Sequence, residues 1–400
     1  MYRVVSNIKI IQRKSDKFPL HVKTMELDFL TEYSWNSTWA NQTSHGVIKI
    51  PKNLYYRDET NQFNPLNGTK INVGGFSSEP LFLRGDKITL TSGYKYLNSA
   101  KTPIVETKEI INGYISKVHS SIPIELEIED NMWILKQTPM KTRTFTESDT
   151  LESLLQFIVD TANEKHGTSL TASALTKTTY GTILVGNETA SELLDRLGKL
   201  YGFKSYFRDN ELRCGVLRYN PKDASRQIFV MNGIEGNVIG SDQDLEYNRK
   251  DDIVLSAIAY NTVTETDGYC KDGVTPKKVK NRLEVLVTYK NGEKTSKVIE
   301  KGDRVPDNTE GERRTFFFPE AKDTEKLKDL AFEQLDRYYY DGFKGSFITF
   351  GIPYVRHGDH VEIRNPELPE QNGVYKVKSV EYTGGVDGLR QKIELDFKII

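Results

Sequence analysis

Apolar and polar residues alternate through the last stretch of the chain, Asp341 to Ile400, in a way that predicts a compact β-module. Phe343–Phe350 reads as an extended run. Gly358-Asp359 opens the alternating segment His360–Arg364. Asn372-Gly373 predicts a turn before Val374–Tyr382, and Gly384–Gly388 predicts a loop before a closing strand, Gln391–Ile399. A fainter copy of this plan lies nearer the start. There Gly85-Asp86 opens Lys87–Leu90, Asn112-Gly113 precedes Tyr114–Val118, and Ile124–Glu129 closes the set. Glycine admits the positive φ that tight turns need, and an adjacent Asp caps such a turn through its carboxylate. Gly85, Asp86, Asn112, Gly113, Gly358, Asp359, Asn372 and Gly373 are therefore expected to set turns and strand angles. Two related barrel-like modules in one chain are the raw material of a ring-building protein.

Between the modules the period changes from two to 3.6. Leu151, Leu154, Leu155, Ile158 and Ala162 form one helical stripe, with capping-box spacing at Asp149 and Glu152 and a stop at Gly167. Ala190, Leu193, Leu194, Leu197 and Tyr201 form another, with Thr189 and Glu192 at its start and Gly202 at its end. Thr179–Val185 reads as a strand, and Phe203–Phe207 with Glu211–Leu217 as a hairpin. A third helix is expected over 325–340, with Thr324 as N-cap. Leu283–Tyr289 and Thr295–Ile299 form a hairpin around Asn291-Gly292. The expected fold is α+β, mainly β, with a small inserted α+β domain. The first β-domain covers residues 1–143 and carries a loop excursion at 52–80. The inserted domain covers 144–225. The second β-domain covers 226–400, with an extension at 262–314.

Composition adds little that is positive. Lys plus Arg total 55 and Asp plus Glu 56 in 400 residues, a net charge of −1, which is no argument for a nucleic-acid or membrane surface partner. No run reaches the ~20 apolar residues that span a bilayer, and MYRVVSNIKI has no apolar signal core. The 21 Tyr and 18 Phe supply buried area that the 37% hydrophobic content alone would not. Cys214 and Cys270, far apart, predict thiols rather than a disulfide framework.

Candidate chemistry is sparse. The chain has no phosphate loop, dinucleotide fingerprint, nucleophile elbow, Cys-x-x-Cys or His-Glu-x-x-His. His357 and His360 would face opposite sides of a strand, which is wrong for a shared metal. Cys214 has no local His to activate it and reads as a core residue. Glu125, Glu127 and Glu129 read as the solvated face of a strand. Trp35 and Trp39 offer a candidate contact surface for sugar stacking, against a plainer reading as packing residues. No enzyme, cofactor or metal is expected.

From the third helix onward, LKDLAFEQLDRYYYDGFKGSFITFGIPYVRHGDHVEIRNPELPEQNGVYKVKSVEYTGGVDGLRQKIELDF resembles the C-terminal barrel of phage baseplate (tail) hub proteins, the late-control protein D family, and the hub part of type VI secretion spike proteins. GDKITLTSGY (85–94) and IINGYISKVHSSIPIELEIED (110–130) are similar to the family's first barrel, and 188–217 to its small middle domain. Residues 52–80 and 262–314 match nothing in it, and no lysozyme-like domain or needle follows the hub region. The resemblance implies two tube-like β-barrel domains. It also implies a homotrimer whose three subunits present six similar units, a pseudo-sixfold ring. Its implied partners are a tail tube protein and a central spike protein. DNA would pass through the channel without sequence-specific binding, and no stable membrane insertion is implied. The implied location is the virion tail baseplate, after synthesis in the bacterial host cytoplasm. Two other functions are a carbohydrate- or receptor-binding tail protein and a cell-wall hydrolase.

Overall fold

The computed structural model describes residues 3–19, 21–66, 70–73, 77–98, 101–119, 121–146, 148–176, 182–215, 226–232, 235–241, 245–249, 254–269, 276–290, 293–299, 313–318, 321, 324–336 and 338–399. The fold is mainly β, with four α-helices among these residues.

One 15-stranded sheet carries both modules. In the first, Lys87–Leu97 pairs antiparallel with Pro103–His119, which pairs with Ile124–Glu129. In the second, His360–Arg364 pairs with Gly373–Gly385, which pairs with Gly388–Lys398. A hairpin of Glu32–Thr38 and His45–Ile50 joins them: its second strand pairs with Ile124–Glu129 and its first with Gly373–Gly385. The expected pair of barrels is not closed by hydrogen bonds among the described residues. The bridge takes the outer edge of Ile124–Glu129 in the first module and pairs along 379–385 of Gly373–Gly385 in the second, so the sheet runs on through both.

The alternation read from the sequence is realised where one strand face is buried. Ile124, Leu126 and Ile128 are buried while Glu125, Glu127 and Glu129 are half-buried on the other face. Glu127 meets Lys117 and His119, and Glu129 meets Lys136.

A second hydrophobic core holds the two long helices of the middle unit. Helix Leu151–His166 is capped by Thr150, whose side chain accepts from the Ser153 N–H at 3.2 Å; Asp149 caps the preceding turn through the Thr146 N–H. The expected Asp149/Glu152 box is thus replaced by a simple cap one residue later. The Thr189/Glu192 box is complete in helix Ala190–Tyr201. Gly167 and Gly202 end the helices at φ of 65° and 70°. A short helix, Met132–Lys136, was not visible as a period because it is one turn long.

Several expected loops are strands. Residues 52–80 contain Tyr55–Arg57, Phe63–Pro65, Lys70–Val73 and Ser77–Pro80. The extension at 262–282 continues strands Val254–Tyr269 and Pro276–Lys290, which belong to a separate four-stranded sheet with Glu293–Ile299 and Arg313–Phe317. Helix Thr324–Asp336 packs on that sheet; Thr324 lies within it rather than before it. Residues 177–181, 216–217, 270–275, 291–292 and 301–312, on which parts of the expected strands, turns and connections fall, lie outside the described residues.

Candidate functional site

The two Gly-Asp pairs make the same turn. Gly85 has φ +93° and Gly358 has φ +80°. Each turn is closed by an Asp N–H donating three residues back, Asp86 to the Leu83 carbonyl at 3.1 Å and Asp359 to the Arg356 carbonyl at 3.1 Å. In each, a carboxylate oxygen of the Asp accepts from the first N–H of the turn, Leu83 at 2.8 Å and Arg356 at 2.9 Å. Each turn then docks on the central strand of its module through a matched pair of bonds. Gly85 N–H donates to the Ile115 carbonyl at 2.7 Å, and Ile115 N–H to the Asp86 carbonyl at 2.9 Å; Gly358 and Asp359 repeat this with Val377 at 2.8 and 2.9 Å. The central strand is irregular at both docking points, with register shifts at Ile115/Lys117 and on both sides of Val377.

What differs is the outer clamp on each carboxylate. Asp86 is fully buried and faces His21, whose Nε2 lies 2.8 and 2.9 Å from the two oxygens. It also accepts from the Arg13 N–H at 3.0 Å. Asp359 instead accepts from the guanidinium of Arg208, on a strand of the middle unit. A second pair, Arg356 Nη1 on both Asp209 oxygens at 2.7 and 2.8 Å, reinforces that contact. The first turn therefore fastens an N-terminal segment and the second fastens the middle unit.

Asn112 and Gly113 are not a turn. Both lie inside Pro103–His119, opposite Thr89 and Ile88. The strand needs glycine there for a different reason: a Cβ at Gly113 would overlap the Glu129 carbonyl oxygen of the neighbouring strand. Asn372 closes the link from His360–Arg364. It follows the 3₁₀ turn Pro369–Gln371, with its N–H on the Pro369 carbonyl at 3.1 Å, and Oδ1 accepts from the Asn365 N–H at 2.7 Å; Gly373 starts the next strand.

Trp35 and Trp39 are only 5% and 8% exposed, which corrects their reading as a contact surface. Trp35 faces Tyr382 across the bridge. Trp39 donates from Nε1 to the Val377 carbonyl at 3.1 Å, the oxygen that also holds Gly358. Packing around the second turn thus explains both residues. Trp39→Phe is expected to cost about 1 kcal/mol, the worth of one buried hydrogen bond, read as a lower urea midpoint with unchanged slope.

No catalytic arrangement emerges at the sequence candidates. Burial pushes the Cys214 thiol up to about 12, with only Ser205 Oγ at 3.2 Å beside it. Ser37 Oγ and His357 Nδ1 lie 2.5 Å apart, a serine–histidine contact that sequence reasoning could not find across 320 positions. The other ring nitrogen of His357 has no partner where an orienting carboxylate would sit. Among the described residues no group of three His, Cys, Asp or Glu side chains is placed to hold a metal ion.

No family model matches the chain, and no curated protein matches it. Solved structures do. The tail protein from Neisseria meningitidis MC58 superposes with a TM-score of 0.53 at 12% identity, over 98% of this chain and 96% of that one; the two share a fold. The prophage MuSo2 43 kDa tail protein from Shewanella oneidensis covers 98% of each chain at 13% identity and a TM-score of 0.48. The E. coli c3393 protein, a component of the type VI secretion system with similarity to the T4 tail proteins gp27 and gp5, covers 97% of this chain and 76% of its own at 8% identity and a TM-score of 0.45.

Proposed function

We propose that the chain is the structural hub of a phage tail baseplate or phage-derived injection machine, a trimer whose pseudo-sixfold ring joins the tail tube to a central spike. The duplicated Gly-Asp turn carries this reading. One chain holds two modules with the same local plan, so three copies around an axis present six similar units, and heterologous contacts close the ring. The fold shared with the Neisseria tail protein supports it. So do the two ends of the long sheet. Val238–Ser241 and Phe63–Pro65 are its terminal strands, and each carries an exposed apolar side chain, Ile239 and Phe63. Such edges offer backbone groups to neighbours. The function is mechanical, with no catalytic step.

Light scattering during size exclusion at micromolar concentration tests the assembly. A mass of three chains, with rings in negative-stain micrographs, is the expected result. A single-chain mass at every concentration, with no rings alone or with a tail tube protein, would overturn the reading.

A further inference from the structure

His357 is the second residue of the second Gly-Asp turn, and three parts of the fold meet on this side chain. Ser37 of the bridging hairpin is hydrogen-bonded to Nδ1 at 2.5 Å. Tyr206 of the middle unit packs edge-on, with ring centroids 5.2 Å apart. His357 itself belongs to the second module, one residue before Gly358. It is 4% exposed, and Nε2 is buried without a partner. A neutral imidazole fits such a place with its one hydrogen on Nδ1, donated to the Ser37 hydroxyl oxygen, and Nε2 bare. An imidazolium does not fit, because it would carry a buried N–H with no acceptor.

The surrounding charges work in the same direction. Arg208 and Arg213 approach from the middle unit and Arg356 from the second module, all three disfavouring a positive ring. Two of the facing acids are already engaged, Asp359 with Arg208 and Asp209 with Arg356. Asp130 and Glu109 of the first module line the same small cavity, together with Tyr354. Asp130 accepts from the backbone N–H groups of Ser44 and Met132, and burial pushes its carboxyl up to about 7. It is therefore largely uncharged in mild acid and offers little compensation.

We propose that His357 is an acid-sensitive latch: neutral, it lets the bridging hairpin, the middle unit and the second module pack as one piece, and its protonation opens that junction. This goes beyond a hub role and does not depend on it.

The direction of the pH effect follows from linkage. Burial, reinforced by the arginines, pulls His357 from the ordinary 6.5 down to about 3 in the closed state. An opened junction returns the ring to water and to its ordinary value. The closed state is therefore fully favoured above about pH 6.5 and loses ground as pH falls from there towards 3. Between pH 7.5 and 5.0 the opening equilibrium constant is expected to rise about 30-fold from this one group.

Hydrogen exchange on the whole chain, corrected for the intrinsic effect of pH, reads that constant directly. Amides of 204–214 and 356–360 should gain about 30-fold in opening at pH 5.0, ahead of the strands of the first module, with Asp130 staying buried on the Ser44 and Met132 N–H groups. His357→Gln keeps an amide for Ser37 without a titrating group, and the same amides should then show no such gain. The proposal fails if wild-type junction amides keep the same opening constant at both pH values. It fails equally if they open only together with the first module, or if His357→Gln retains the full 30-fold dependence. The wild-type measurement decides even if the variant does not fold.

Discussion

Asp86→Ala is expected to lower stability by about 3–5 kcal/mol. The carboxylate is fully buried and satisfies three donors: the N–H groups of Leu83 and Arg13, and Nε2 of His21. His21 is equally buried, and its Nδ1 lies 3.1 Å from the Pro80 carbonyl. Truncating Asp86 leaves Nε2 and two backbone N–H groups facing nothing in the core, and each orphaned donor costs its own desolvation. The Arg13–His21 segment would come away from the turn. Urea unfolding at pH 7 should show a large drop in midpoint. A cycle with His21→Leu separates the causes, because removing both partners should restore part of the loss. Asp359→Ala should cost less. That carboxylate and Arg208 are 9% and 18% exposed as side chains, so the freed guanidinium can turn towards water. A loss below about 1 kcal/mol for Asp86→Ala, the range of exposed pairs, would sink the argument.

Sequence reasoning worked where a single strand or helix carried its own pattern. The stripe from Leu151 to Ala162, the box at Thr189 and Glu192, and the run from Ile124 to Glu129 all have their information within one element. Gly85-Asp86 and Gly358-Asp359 were legible for the same reason: the turn needs glycine at one position and a short carboxylate at the next. The clamps on those carboxylates were not legible. His21 lies 65 positions from Asp86 and Arg208 lies 151 from Asp359, and nothing local marks either as a partner. The bridging hairpin was hidden too. Trp35 and Trp39 sit in a polar stretch, so their aromatic character suggested a surface, whereas strand pairing with Gly373–Gly385 buries Trp35 and the bond to the Val377 carbonyl seats Trp39 just beyond the end of Glu32–Thr38. That pairing also joins the two modules into one long sheet.

The second large effect comes from Gly113, where the sequence and the structure disagree about why a glycine is present. A turn would need it for positive φ. Inside Pro103–His119 its backbone is ordinary strand, and the constraint is space: a Cβ would overlap the Glu129 carbonyl and lie 3.2 Å from Ile128 Cγ2. Gly93 and Gly46 meet the same obstacle against the carbonyls of Glu106 and Ser34. Gly113→Ala must push a backbone rather than a flexible side chain, so it should cost at least the ~1–3 kcal/mol of an overpacked core. Gly167→Ala is the matched control. It has φ +65° and nothing within 4 Å of an added Cβ, so it tests conformation alone at roughly 1 kcal/mol. Asn112→Ser should fall within about 0.5 kcal/mol, because its one bond, to Glu109, is exposed and its buried Oδ1 has no partner to lose. The order Gly113 above Gly167 above Asn112 in urea midpoints is the signature of close strand approach. A turn at Asn112-Gly113 would instead make Asn112→Ser costly and leave Gly113→Ala no worse than Gly167→Ala, and that order would overturn the assignment.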